Sequence, residues 1–193
     1  MMDIVFVTNN QNKLTEIKNL VSSDYNILSL NDINFKDEIE ETESTLKGNA
    51  LLKAKHIHSK YGLNCFADDT GLEIDALNGK PGVYSARYAG PKCNACDNMN
   101  KVLFELKNIE NRNAKFRTVI SLILNSKQYF FEGECEGKIL YNPTGKNGFG
   151  YDPIFSPKDS NLSFAQMDIK NKNQISHRAI AVKKLISFLS KIK

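Results

Sequence analysis

The sequence predicts an α/β fold, an extended mixed β-sheet flanked by helices. Three observations carry this. Ile4-Val5-Phe6-Val7-Thr8 is a continuous apolar run of strand length, as a strand buried on both faces requires, and a polar loop and an amphipathic helix follow it. Phe116 to Leu124 is almost continuously apolar and reads as a central strand. Gln128 to Cys135 reads as its hairpin partner across the turn Asn125-Ser126-Lys127. The chain has 193 residues, so one domain or two closely joined lobes is expected. A chain of this size hides roughly 70% of its unfolded surface.

In order, the first strand is broken by Asn9-Asn10-Gln11-Asn12, and the helix after it carries Leu14, Ile17, Leu20 and Val21 on one face. A strand, a polar loop and a helix start can present backbone N–H groups to an anion, and Thr8, Asn10 and Lys13 add a hydroxyl, an amide and an ammonium. Taken alone the pattern is generic, since most such loops bind nothing. Ile27 to Leu30 is a short strand. The acidic run Asp37 to Glu43 reads as a solvated loop. Thr42 or Ser44 is placed to cap the next helix, whose apolar side is Leu46, Ala50, Leu51, Ala54 and Ile57.

The centre of the chain is the stretch Asn64 to Gly90. Asn64-Cys65-Phe66-Ala67 reads as a short buried strand that ends in Asp68 and Asp69, followed by Thr70 and Gly71. Leu72, Ile74 and Ala76 alternate with polar residues as a second strand. Two acids at a strand end beside a glycine turn suit a hard cation and phosphate oxygens. The plain alternative is an acidic surface hairpin, against which stands the apolar strand leading in. One carboxylate of the acidic run can join Asp69 around a magnesium ion, because Mg²⁺ takes one or two protein carboxylates and fills its shell with water and phosphate.

Asn78-Gly79-Lys80-Pro81-Gly82 is a dense turn signal, and a helix from about Asp97 to Lys107 rests on Met99, Val102, Leu103 and Leu106. Asn142 to Pro153 is a loop rich in glycine and proline. Its Phe149 and Tyr151 either stack on a ligand or plug the edge of the core. Ser176-His177-Arg178 opens the last helix, with Ile180, Ala181, Leu185, Phe188 and Leu189 on it.

Lys plus Arg is 26 and Asp plus Glu is 22, a net charge of +4. The lysines are scattered, so no nucleic-acid face is expected, while phosphate-bearing small molecules are compatible. The four cysteines read as reduced thiols of a cytoplasmic protein. Cys93-x-x-Cys96 has metal-knuckle spacing but no second pair and no nearby His. No run is long enough to span a membrane and no signal segment is expected.

Five motifs in order resemble the inosine triphosphate pyrophosphatase family. They are Thr8 to Lys13; Glu40-Glu41-Thr42 leading to Asn49-Ala50-Leu51-Leu52-Lys53-Ala54; the stretch Ala67 to Leu72 running on to Pro81-Gly82-Val83-Tyr84-Ser85-Ala86-Arg87-Tyr88-Ala89-Gly90; Phe149-Gly150-Tyr151-Asp152; and Ser176-His177-Arg178. The resemblance implies a single domain over residues 1–193, with two lobes, no separable linker and a central nucleotide-binding cleft. It implies Mg²⁺-dependent hydrolysis of ITP, dITP and XTP to the monophosphate and pyrophosphate by a homodimer.

By matching position, Thr8, Asn9, Asn10, Gln11, Asn12 and Lys13 would hold the triphosphate, with Lys53 beside it and Thr70 where a serine is common. Asp69 would be proton acceptor and metal ligand, joined by Glu40 or Glu41. Phe149, Gly150, Tyr151, Asp152, Lys172, His177 and Arg178 would contact the nucleoside. Asn9 replaces a frequent glycine, and Glu43 and Gly48 replace a usual glycine and glutamate. Gly48 in a helix would cost about 1 kcal/mol against alanine. Two other readings remain at this point: a metal-dependent phosphatase releasing orthophosphate, and a nucleotide- or nucleic-acid-binding module without turnover.

Overall fold

The computed structural model describes residues 2–21 and 25–192. Among these, strands β1 (Met2–Phe6), β2 (Tyr25–Leu28), β3 (Cys65–Ile74), β4 (Pro81–Gly82), β5 (Asn113–Leu124), β6 (Lys127–Ile139) and β7 (Phe155–Pro157) form one sheet. The strand order is β2-β1-β3-β5-β6-β7, with β4 on β3. Parallel pairs (β1 with β2 and with β3) and antiparallel pairs (β3 with β4, β6 with β7) make it a mixed sheet. The helices are α1 (Gln11–Lys18), α2 (Leu46–Tyr61), α3 (Ala95–Glu105), α4 (Ile169–Ile175) and α5 (His177–Ser190). The predicted fold class is borne out.

The chain divides into two compact units. One comprises residues 1–69, 118–133 and 178–193; the other comprises 70–117 and 134–177. In the first, β1 is buried on both faces, as its unbroken apolar run requires. Ile4, Phe6 and Phe66 pack with Ile17 of α1 and Val182 and Leu185 of α5. Val5, Val7, Cys65 and Ala67 pack with Ala54 and Ile57 of α2. Phe6 and Phe66, opposite each other on β1 and β3, stack with ring centres 4.7 Å apart. In the second unit, Leu72, Ile74, Phe116, Ile154, Phe155 and Phe164 form the core with Val102 and Leu106.

Three local expectations are corrected. The residues read as two strands separated at Gly71 are one ten-residue strand, β3, so Asp68 and Asp69 lie in mid-strand rather than at an end. Gly71 is no turn: a Cβ there would stand 2.6 Å from the Gly82 carbonyl oxygen, so it permits the close approach of β4. The cap of α2 is Thr45, not Thr42 or Ser44; its hydroxyl accepts the Gly48 N–H at 3.0 Å. The β5–β6 hairpin turns through Asn125 and Ser126, both at positive φ (48° and 63°), the two-residue turn that matches strand twist. Helix α4 and strand β7 were not foreseen; α4 is short and polar.

Candidate active site

The first unit gathers the charged residues. Asp68 is fully buried, and its Oδ1 accepts from Lys13 Nζ at 3.0 Å while its Oδ2 accepts from Arg178 Nε at 3.2 Å. Arg178, also buried, donates its NH1 to Glu16 of α1. Burial alone would push the Asp68 carboxyl up, but Lys13, Arg178 and Lys53 outweigh it and hold the group well below the usual carboxylate range. Burial pulls Lys13 down, against the pull of Asp68.

Asp69 is the next residue and behaves oppositely. It is 6% exposed, and burial, reinforced by Glu41, pushes its carboxyl up to about 6 despite Lys53. Asn49 Nδ2 donates to its Oδ2 at 3.1 Å. Lys53 Nζ donates to Glu41 Oε1 at 2.5 Å and to the Asp68 carbonyl at 2.7 Å. Burial works against the charge on Lys53, but Asp69, Glu41 and Asp68 more than offset it, so Lys53 is held above its ordinary value. Adjacent carboxylates on one strand thus differ in kind: Asp68 is locked as an anion between cations, and Asp69 is poised near neutrality.

Of the two candidate partners in the acidic run, Glu41 is half-buried and contributes to the rise of Asp69, whereas Glu40 is exposed. Asp69 and Glu41 are the carboxylates that could share a hard cation. Two carboxylate donors suit a hard cation that fills the rest of its shell with water and phosphate; among the described residues no group of three or more His, Cys, Asp and Glu that could hold a metal ion is found. Cys93 and Cys96 are both exposed and free.

In the loop before α1, Thr8 Oγ1 accepts the Asn10 N–H at 3.1 Å. Asn10 caps α1, its Oδ1 accepting the N–H groups of Asn12 (3.0 Å) and Lys13 (3.2 Å). This capping does without the glycine that Asn9 replaces. Asn9, Gln11 and Asn12 are exposed.

The second unit gathers the remaining predicted residues except Arg178. Thr70, half-buried on β3, is its first residue. Lys172 Nζ, on α4, forms a buried ion pair with Asp152 Oδ2 at 2.7 Å and lies over the rings of Phe149 and Phe164 at 5.1 and 5.4 Å. The same Asp152 oxygen accepts the Phe149 N–H at 2.8 Å. A Cβ on Gly148, whose φ is +72°, would overlap the Asp152 carboxylate. Gly150, at φ +63°, continues this turn. His177 is buried and stacked on Phe116, with ring centres 4.6 Å apart and planes 15° apart. Tyr151 is a core residue whose hydroxyl donates to the Ser85 carbonyl at 2.8 Å, so of the two readings left open it plugs the core, while Phe149 stays half-buried under Lys172.

Sequence reasoning missed Asn49 and Glu16 as members of the charged cluster. The available signal was a polar residue on the apolar side of a helix, which must find partners once buried.

A profile of the Ham1 family matches residues 4–188. The chain belongs to the Ham1 family. Among Ham1-related sequences, the dITP/XTP pyrophosphatases of Flavobacterium johnsoniae and Porphyromonas gingivalis are 54% and 51% identical to this chain, over 100% of both chains in the first case and 98% of both in the second. That of Bacillus subtilis is 43% identical over 98% of each. The solved Ham1 protein of Staphylococcus aureus superposes with a TM-score of 0.90 at 39% identity, covering 99% of this chain and 100% of its own. The family resemblance read from the five motifs is borne out.

Proposed function

We propose that the protein hydrolyses the triphosphates of deaminated purines, ITP, dITP and XTP, to the monophosphate and pyrophosphate. The observation that carries this is Asp69: a buried carboxylate bonded to Asn49 and close to Glu41 and Lys53, in a chain whose relatives are named dITP/XTP pyrophosphatases. Help from a general base held in place contributes typically 10²–10⁴-fold.

In this reading Asp69 accepts a proton from the water that attacks the α-phosphorus, and the bond from that phosphorus to the bridging oxygen breaks. Lys53, kept protonated by its carboxylate neighbours, and Lys13, held by Asp68, stabilise the departing pyrophosphate. In this reading the side chains of Thr8, Asn9, Gln11 and Asn12 contact the triphosphate, while the Asn10 Oδ1 caps α1. Mg²⁺, held by Asp69 and Glu41, would supply Lewis-acid stabilisation of charge on the phosphate oxygens.

Base contacts go to Phe149, Gly150, Lys172 and His177. Arg178, whose Nε and NH1 are engaged by Asp68 and Glu16, serves to hold Asp68. Donors that meet a 6-oxo group are left unpaired by adenine, a discrimination worth ~10⁴-fold or more.

The reading extends to a cytoplasmic homodimer, the state the family resemblance implies; among the described residues no helix is long and apolar enough to cross a membrane. A Mg²⁺-dependent screen of nucleoside triphosphates with pyrophosphate detection tests the proposal. ITP, dITP and XTP should be turned over well ahead of ATP; equal turnover of ATP, or no turnover of any of them, would overturn it.

A further inference from the structure

We propose that Asn49 is a positioning residue for the hydrolytic site: its single carboxamide fastens the acidic loop to the Asp69 carboxylate. The inference rests on the reading of Asp69 and Glu41 as the working carboxylate pair. Asn49 lies in the first turn of α2 and is fully buried. Its Nδ2 donates to Asp69 Oδ2 at 3.1 Å, and its Oδ1 accepts the backbone N–H of Glu43 at 2.9 Å. A carboxylate only accepts and an N–H only donates, so one orientation of the amide satisfies both, and no apolar side chain satisfies either.

Glu43 is two residues from Glu41, whose carboxylate is bonded to Lys53. The loop is therefore tied to α2 at two points, Glu43 to Asn49 and Glu41 to Lys53. Gly48 completes the seat. A Cβ there would stand 2.7 Å from the Glu43 Cβ, so the loop lies directly against the helix. Through one side chain, the strand that bears Asp69 and the loop that bears Glu41 share a fixed reference. Loss of such an outer contact typically costs 10–100-fold, since misplacement of a reacting group by about 1 Å is enough to do so.

The test uses the full chain with Asn49→Ala, Asn49→Asp and Glu43→Pro, measuring kcat and KM on dITP, melting temperature, and hydrogen exchange of the Glu43 amide. Asn49→Ala should lower kcat by about 10–100-fold with KM little changed, and should unprotect the Glu43 amide. Asn49→Asp keeps the acceptor, so that amide stays protected, yet kcat falls because an anion now faces Asp69. Glu43 is exposed, so Glu43→Pro deletes the loop tie with the core intact, and kcat should fall again. Should Asn49→Ala not fold, the other two variants decide. Wild-type kcat in folded Asn49→Asp and Glu43→Pro, or a Glu43 amide still protected in Asn49→Ala, overturns the inference. A wild-type protein inactive on dITP would instead sink the functional reading, while the exchange data still report the tie.

Discussion

Asp68→Asn is the sharpest perturbation of the charged cluster. Asp68 is 0% exposed and sits between Lys13 Nζ at 3.0 Å and Arg178 Nε at 3.2 Å, and Arg178 is bonded in turn to Glu16. The substitution removes the carboxylate that Lys13 and Arg178 share and leaves positive charge uncompensated in the interior. Removing one partner of a buried pair costs about 3–5 kcal/mol. At about 2–4 °C per kcal/mol for a chain of this size, the melting temperature should fall by roughly 6–20 °C.

The pH dependence follows from the sign of the shift. The folded-state carboxyl is held below its ordinary value, so its stabilisation is present above the unfolded value near 3.9 and is lost as pH falls toward the folded one. The gap between wild type and variant should be full at pH 7 and shrink below about pH 4. Urea unfolding followed by circular dichroism at both pH values measures it. A variant within about 1 kcal/mol of wild type at pH 7 would refute the reasoning.

Asp69→Asn should act in the opposite direction on stability. The folded Asp69 carboxyl is raised to about 6, so the folded state binds the proton more tightly than the unfolded chain; wild type loses stability as pH climbs from about 4 through 6, by up to roughly 3 kcal/mol, and does not regain it above. In metal-free buffer the variant should match wild type at pH 4 and exceed it at pH 8, while turnover falls by about 10²–10⁴-fold; equal stability at pH 8 contradicts the raised value. Gly48→Ala, which in an open helix would gain about 1 kcal/mol, should destabilise this protein, and Glu43→Gly should restore the gain, as chemical denaturation of the two single variants and the double variant will show. With a thiol reagent on the native protein, Cys93 and Cys96 should react fast; Cys65 and Cys135, buried and pushed up to about 12 and 11, should react only on unfolding.

What the sequence conveyed best was what depends on neighbours in the chain. The apolar run of β1, the β5–β6 hairpin and the opening of α5 at His177 all rest on local period and turn chemistry. What it conveyed poorly depends on partners far apart in the chain. Asp68 meets Lys13 and Arg178 across 55 and 110 residues, and Asp69 meets Asn49 across 20, contacts that let two acids lie in the middle of a buried strand. Read locally, Asp-Asp-Thr-Gly is punctuation, and it splits β3 into two apparent strands.

Glu43 and Gly48 looked like two separate departures from the family pattern, one with a helix penalty. The 2.7 Å approach of a would-be Cβ at 48 to the Glu43 Cβ makes them a single exchange, since there is room for a side chain at only one of the two positions. Likewise Glu40 and Glu41 are alike in sequence and are separated by burial and by the reach of Lys53 to Glu41.

Hydrolysis of dITP in ¹⁸O-water with Mg²⁺, followed by ³¹P NMR of the products, tests the central claim most directly. Attack at the α-phosphorus predicts label in the monophosphate and unlabelled pyrophosphate in equal amount. Orthophosphate as the first product, or label in the pyrophosphate, would contradict it.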